Sequence, residues 1–257
     1  MQPNNFVIVP SRGGSKGIEN KNLMKVKNKA LTVRSMIHAM HISPKENIIL
    51  STDNEKIVKE VADFFGIKSY SLKLNNIIEF GPFRIHFRDS QLSADESLIS
   101  EVIYAIRSLL MSFGEKVNVF CLLQPTSPFR SRAELNIIRE IINENGHVNT
   151  SLVSACSVDD MHPARMYSLN SYGNLEELSG FSEYRYLRRQ DLPPLFIRDG
   201  GFYLIGDTLA LNKIPYSIEP LSFVRKFPWT INIDGETDLI VARNIESHLL
   251  RDDPNEN

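Results

Sequence analysis

The chain has 257 residues, 42% hydrophobic and 23% charged, with 13 glycines and 13 prolines, a composition that excludes a disordered, collagen-like or low-complexity protein. Lys and Arg number 29 against 31 Asp and Glu, and the net charge of −2 excludes a surface built for a nucleic-acid duplex. Cys121 and Cys156 each lie in an apolar run and read as buried thiols of a reducing, cytoplasmic compartment. No apolar run approaches the ~18 residues of a membrane span, and the polar first residues are not read as a signal peptide.

Phe6–Pro10 is a short apolar run ended by a glycine-rich turn, the pattern of a buried strand. Val33, Met36, Ile37 and Met40 predict a helix over about Thr32–Met40, and Ile48–Ser51 reads as a strand. Asn54 caps a helix that carries Ile57, Val58, Val61 and Phe65 and ends at Gly66. Alternation in Ile67–Leu72 predicts a strand, and Asn75–Phe87 reads as an irregular excursion. Ser93–Glu96 has the capping-box pattern for a helix reaching about Phe113, stopped by Gly114. After an apolar strand at Val117–Leu123, Ser131–Glu134 is a second capping box, opening a helix with Leu135, Ile138, Ile141 and Ile142 that ends at Gly146.

Ser151–Cys156 is a further strand, and regularity then breaks over about residues 158–197. Phe202–Ile205 and Ile231–Asp234 return to strand patterning, and a last helix carries Leu239, Ile240, Ile245 and Leu249 before a frayed tail at 251–257. Strands alternating with helices predict one α/β domain over residues 1–250, a mostly parallel sheet with helices on both faces, interrupted by the 158–197 excursion.

Four segments carry chemistry. Pro10-Ser-Arg-Gly-Gly-Ser-Lys-Gly17, followed by Asn20-Lys-Asn22, sits directly after the first strand, where ligands of open α/β sheets collect. Its glycines let backbone N–H groups of Ser11, Gly13, Gly14 and Ser15 approach a phosphate, and Arg12, Lys16 and Lys21 bring positive charge to a triphosphate. The spacing is neither a Walker loop nor a dinucleotide fingerprint. Leu122-Leu-Gln-Pro-Thr-Ser-Pro128 ends a buried strand in a proline-stiffened loop that offers Gln124, Thr126 and Ser127 to a polyhydroxylated or amide-bearing ligand.

In Ile231-Asn-Ile-Asp-Gly-Glu-Thr-Asp238, a strand would place Asn232 and Asp234 on one face, as suits a Mg²⁺ completed by substrate phosphates and water, with Asp238 at the helix start. Arg185, Arg188, Arg189 and Arg198 gather with Gln190 in the excursion, where arginine forks suit carboxylate or phosphate; His162 reads as structural.

These motifs, together with Ser51-Thr-Asp53, Arg88-Asp-Ser-Gln-Leu-Ser-Ala-Asp95, Leu122–Arg130, Arg189-Gln190 and Ile233-Asp234, resemble the acylneuraminate cytidylyltransferases, in family order from residue 7 to about 240. The resemblance implies a nucleotide-diphospho-sugar-transferase-like α/β fold and a homodimer whose inserted segment reaches the partner's site. It implies transfer of CMP from CTP to a nonulosonic acid, with Mg²⁺ and pyrophosphate release, in cell-surface glycan synthesis. Carried across, Arg12, Lys16 and Lys21 are catalytic charges on the triphosphate, and Pro10–Ser15, Asn22, Arg88, Asp95 and Ser97 bind the nucleotide. Gln124, Thr126, Ser127, Arg165, Arg189, Gln190 and Asp199 fall to the sugar, and Asp234 with Asn232 to the metal.

The chain departs from the family pattern at several places: Asn232 stands where many relatives have Asp, Arg165 where they often have Lys, and Asp199-Gly200 where they have Asn-Gly. Glu96-Ser97-Leu98-Ile99 stands where small hydroxyl residues usually follow the acid, leaving Ser97 as the candidate, and the excursion at 73–87 exceeds what a compact member needs. The acid at 199 points to a legionaminic- or pseudaminic-type sugar. The related 3-deoxy-octulosonate cytidylyltransferases usually show Gln-Gly-Asp-Glu-Pro where this chain has Gln124-Pro-Thr-Ser-Pro128. A CTP-binding protein without catalysis is the other alternative.

Overall fold

The computed structural model describes residues 4–14, 18–94, 96–158, 161–181, 184 and 187–252, with the backbone alone at 189 and 247–252. Its centre is β1 (Asn4–Pro10), whose Phe6, Val7, Ile8 and Val9 are all buried, as a strand covered on both faces requires. A tight hairpin of β2 (Lys25–Val26) and β3 (Lys29–Ala30) leads into α1 (Leu31–Ile42), then β4 (Ile48–Thr52) and α2 (Glu55–Phe65). Asn54 caps α2 by accepting from Lys56 N–H at 2.8 Å, and Gly66 ends it at φ +69°.

β5 (Asn76–Phe80) and β6 (Phe83–Phe87) follow, then α3 (Ile99–Ser112), β7 (Val117–Leu122), α4 (Arg132–Asn145) and β8 (Ser151–Ser157). A small hairpin, β9 (Tyr167–Leu169) with β10 (Leu175–Glu177), lies in the excursion. β11 (Phe196–Gly206), α5 (Asp207–Leu211), β12 (Leu221–Val224) and α6 (Glu236–Asp252) complete the chain.

The main sheet has eight strands in the order β12-β8-β11-β7-β1-β4-β6-β5. Parallel pairing joins β7, β1, β4 and β6, and β12 to β8, whereas β11 and the edge strand β5 run against their neighbours. The sheet is therefore mostly parallel, with α1, α2 and α4 packed on Val7, Val9, Leu50 and Val119, and α3 and α5 on Ile8, Ile49, Phe120 and Leu122. A third cluster packs Leu239 and Ala242 of α6 on Ile18, Leu31, Phe129 and Ile233, pinning three loops at one end of the sheet.

Four expected elements differ. Ile67–Leu72 forms no strand: Ile67 and Leu72 pack on the core, but no ladder partner lies alongside. Asn75–Phe87 is a regular hairpin, turned at Gly81 (φ +59°) and Pro82, rather than an irregular excursion. The helix expected from Ser93 starts at Ile99, where Glu101 Oε2 accepts from Leu98 N–H at 3.3 Å and does the capping work assigned to the earlier box. Ile231–Asp234 is a loop, and the strand that lies nearby is β12.

Candidate active site

The carboxyl ends of β1 and β7 are neighbours in the sheet, and they open into a cleft of about 480 Å³. One wall is the basic loop. Pro10, Arg12, Gly14, Lys21 and Asn22 line it. Gly13 N–H donates to Asp53 Oδ1 at 2.8 Å, and a Cβ on Gly13 would stand 2.4 Å from Asn54 Nδ2, so this close approach requires glycine. Asn22 is nearly buried and donates to the Arg12 carbonyl at 2.9 Å, closing the loop on itself; Ser11 is fully buried with its hydroxyl on Thr32.

Arg88 extends this wall from the end of β6, beside Ser97. It is 5% exposed, and its buried Nε and one terminal nitrogen have no partner among the described residues. Burial lowers its pKa to about 10, so it stays cationic at neutral pH with hydrogen-bonding capacity unspent. Behind it, His86 takes Ser51 Oγ at 3.0 Å on Nδ1 and nothing on Nε2, and burial pushes its pKa down to about 4, helped by the charge of Arg88.

Gln124, Pro125, Thr126, Asn232 and Asp234 line the opposite wall. Gly200, at φ +75°, lies under it: a Cβ there would meet Gln124 Oε1 at 3.1 Å, Ser127 Oγ at 3.2 Å and Asn232 Oδ1 at 3.8 Å. Three polar side chains from two loops thus converge on one glycine. Ile233 N–H donates to the Thr126 carbonyl at 2.7 Å, which joins the two loops.

The walls meet at Lys21, whose Nζ lies 3.0 Å from Asp234 Oδ1. Asn232 Nδ2 donates to the other Asp234 oxygen at 2.7 Å, so the loop brings these two together without a strand. Asp238 accepts from Asp234 and Gly235 N–H at 2.9 and 2.8 Å; the two backbone donors, Gly235 first, lower its pKa, and it caps the start of α6. Among the described residues no three His, Cys, Asp or Glu side chains cluster as a metal site. The Asp234 carboxylate fits a Mg²⁺ that takes most of its ligands from phosphate and water, whereas the Asn232 amide turns its nitrogen to Asp234 and its oxygen to Ser127.

Residues 6–203 match the family model described as cytidylyltransferase. The chain belongs to that family. It is 26% identical to a CMP-N,N'-diacetyllegionaminic acid synthase of Legionella pneumophila, over 93% of this chain and 95% of that one. It is 27% identical to a pseudaminic acid cytidylyltransferase of Campylobacter jejuni, over 93% and 94%. In fold it is similar to a CMP:2-keto-3-deoxy-manno-octonic acid synthetase, with TM-score 0.61 and 12% identity over 96% of this chain and 99% of that one.

Against this frame, the cleft gathers Arg12, Lys21, Pro10, Gly14, Asn22, Arg88, Ser97, Gln124, Thr126, Asn232 and Asp234, with Ser127 and Gly13 just behind its surface. Arg165 and Gln190 sit on the excursion, exposed and away from the cleft of their own chain. Asp199 is also placed elsewhere. It is 7% exposed under the wall, and its carboxylate is occupied by Arg225 at 2.8 Å, Gly201 N–H at 3.1 Å and the Ser154 hydroxyl. Ser15, Lys16, Gly17 and Asp95 lie outside the described residues, as does the Arg189 side chain.

Sequence reasoning passed over Arg225, Arg34 and the framework role of Arg130, each of which bonds a loop carbonyl; Arg34 reaches Pro128 at 3.3 Å. Gly200 was seen only as half of a family dipeptide. The two thiols stay out of the chemistry: Cys121 is buried in the core, where burial pushes its pKa to about 12, and Cys156 is half-buried on β8. No helix among the described residues is long and apolar enough to cross a membrane.

Proposed function

We propose that this protein transfers CMP from CTP to the anomeric hydroxyl of a nonulosonic acid, releasing pyrophosphate. The observation that carries the reading is a single cleft in which a basic glycine loop, Lys21 and Arg88 face Gln124, Thr126 and Asp234. Membership of the cytidylyltransferase family and the names of the Legionella and Campylobacter relatives support CTP and this sugar class.

In this reading the triphosphate lies along Gly13, Gly14, Arg12 and Lys21, and Arg88 turns its unspent donors to the cytidine. Gln124 and Thr126 hold the acyl sugar. The sugar hydroxyl attacks the α-phosphorus in line; the new O–P bond forms as the bond to the β-phosphate oxygen breaks, and the hydroxyl proton is released. Positive charge fixed beside the reacting phosphorus and correct positioning supply most of the rate in such transfers. Asp234, joined by the Asn232 oxygen once that amide turns over, would hold the Mg²⁺ that neutralises phosphate charge when bound. For that, Lys21 must leave Asp234 for the triphosphate.

The reading extends to a homodimer. Met161, Leu169, Tyr172, Leu175, Phe196 and Ile197 are exposed around the excursion, and a partner seated there carries Arg165 and Gln190 toward this cleft. It places the protein in the cytoplasm, supplying activated sugar for cell-surface glycans.

The test is pyrophosphate release from CTP and Mg²⁺ with N-acetylneuraminic, N,N'-diacetyllegionaminic, pseudaminic and 3-deoxy-octulosonic acids offered separately. Release with one nonulosonic acid is expected. Release with 3-deoxy-octulosonate alone would move the protein to the other branch, and silence with all four despite CTP binding would make it a non-catalytic relative.

A further inference from the structure

The wall carrying Gln124, Thr126, Asn232 and Asp234 is held from behind by guanidinium groups that do not touch the cleft. Arg225, just past β12, is 3% exposed. One terminal nitrogen donates to the Phe129 carbonyl at 2.7 Å and the Trp229 carbonyl at 2.8 Å. Its Nε donates to Glu134 Oε1 at 2.9 Å, and the other terminal nitrogen to Asp199 Oδ2 at 2.8 Å. One side chain therefore ties together the loop after β7, the start of α4, strand β11 and the segment that leads to Asp234.

Arg130, fully buried, adds bonds to the Gln124 and Gly201 carbonyls, both at 2.9 Å. Two guanidiniums face two carboxylates, Asp199 and Glu134, so the cluster is balanced. The Phe202 ring lies 5.4 and 5.2 Å from the two cations.

Buried charges this well partnered fix geometry more than they add stability. A planar fork presents donors in set directions, and a lysine at the same place has a point charge that cannot reach all four segments. Because Thr126 and Ile233 are joined by a backbone bond, a shift of the Phe129 or Trp229 carbonyl moves the sugar loop and the Asp234 loop together. The glycine wall, built on β1 and β6, takes no bond from Arg225 at any of the contacts described above.

We infer that Arg225, with Asp199 as its counter-charge, is a positioning residue for the acyl-sugar half of the site, acting through Gln124 and Thr126 and leaving the glycine-loop contacts of the nucleotide in place. The inference rests on the proposed function for its substrate. It also gives the departure from Asn-Gly to Asp199-Gly200 a different reading: the acid answers an arginine of its own chain.

The test uses the full chain with R225K and D199N. For R225K, CTP affinity by calorimetry without Mg²⁺ is expected within about threefold of wild type, while kcat/KM for the acid that wild type uses falls about 30-fold or more, the scale of a small misplacement at a reacting centre. D199N is expected to lose about 3- to 10-fold in the same acid-selective way.

Trp229 is the only tryptophan in the chain, so acrylamide quenching of its emission reads the tethered segment without turnover. Quenching is expected to rise in both variants. Loss of CTP affinity and acid kcat/KM together, or unchanged acid kcat/KM in folded R225K, overturns the inference. So does acid-selective loss in D199N with unchanged quenching, which returns Asp199 to direct sugar contact. Where R225K does not fold, D199N decides by the same criteria. Should wild type use none of the acids, the proposed function fails and quenching alone decides, unchanged quenching overturning the inference.

Discussion

Arg88 and Arg225 are both buried arginines, one lining the cleft and the other behind its opposite wall, and they spend their donors in opposite ways. Arg88 keeps a buried Nε and terminal nitrogen without a partner among the described residues, whereas Arg225 is engaged with two carboxylates and two carbonyls behind the cleft. A desolvated guanidinium with donors to spare costs folding free energy, and a ligand that brings acceptors recovers it. A saturated one shapes a surface and has nothing left for a ligand. Burial alone does not separate binding from framework; the hydrogen-bond inventory does.

Four outcomes would break or sharpen this contrast. The largest belongs where the walls meet: Lys21→Ala should lower kcat for pyrophosphate release by about 10²–10³, as loss of one positioned charge does. A change under about threefold removes Lys21 from the chemistry. Next, Arg88→Met should weaken CTP binding by about 10- to 100-fold, the worth of hydrogen bonds to a charged group, without lowering the melting temperature. A lower melting temperature with unchanged CTP affinity would make Arg88 framework after all.

The third concerns stability on the nucleotide side. Folded His86 titrates near 4 and the free side chain near 6.5, so the unfolded chain binds the proton first. The contribution is complete above about pH 6.5 and is lost as pH falls toward 4, about 2 kcal/mol of it between pH 7 and 5. His38, behind the other wall, is lowered well below its usual value by burial and the charge of Arg130, and has the same sign. Chemical denaturation across that range reads the slope, and His86→Gln should flatten its share. The smallest effect is Gly200→Ala: a left-handed backbone costs a side chain about 1–2 kcal/mol, and the methyl crowds Gln124 and Ser127. It should raise KM for the acid more than KM for CTP; equal changes would detach Gly200 from the sugar wall.

Much of this was legible because it is local. The glycine run after β1, the Asn54 cap and Gly66 stop, and the reciprocal Ser131–Glu134 box all depend on neighbours within a few residues. What escaped depends on partners far along the chain. Ile67–Leu72 alternates but meets no strand, and the four-residue β12 has meaning only beside β8, some 70 residues earlier. Asn232 and Asp234 do lie together, but not on one face of a strand: they touch across a loop, drawn together by the carboxylate's need for a donor. Asp199 looked like a substrate contact because the arginine that claims it is 26 residues away in an unremarkable stretch. No periodicity marks a residue whose role is to saturate other residues.

A Cβ on Gly201 would stand 2.0 Å from the nearest Arg225 nitrogen and 3.1 Å from Ser154 Oγ. Positions 154, 199, 201 and 225 therefore share one small space, although they are spread over two strands and a loop. A chimera that imports a relative's β11 while keeping Arg225, or the reverse, can place a methyl or an unmatched charge in the same few cubic ångströms. Exchanging those four positions together keeps the charges matched and the space filled, whereas exchanging one alone leaves the other three to adjust to it.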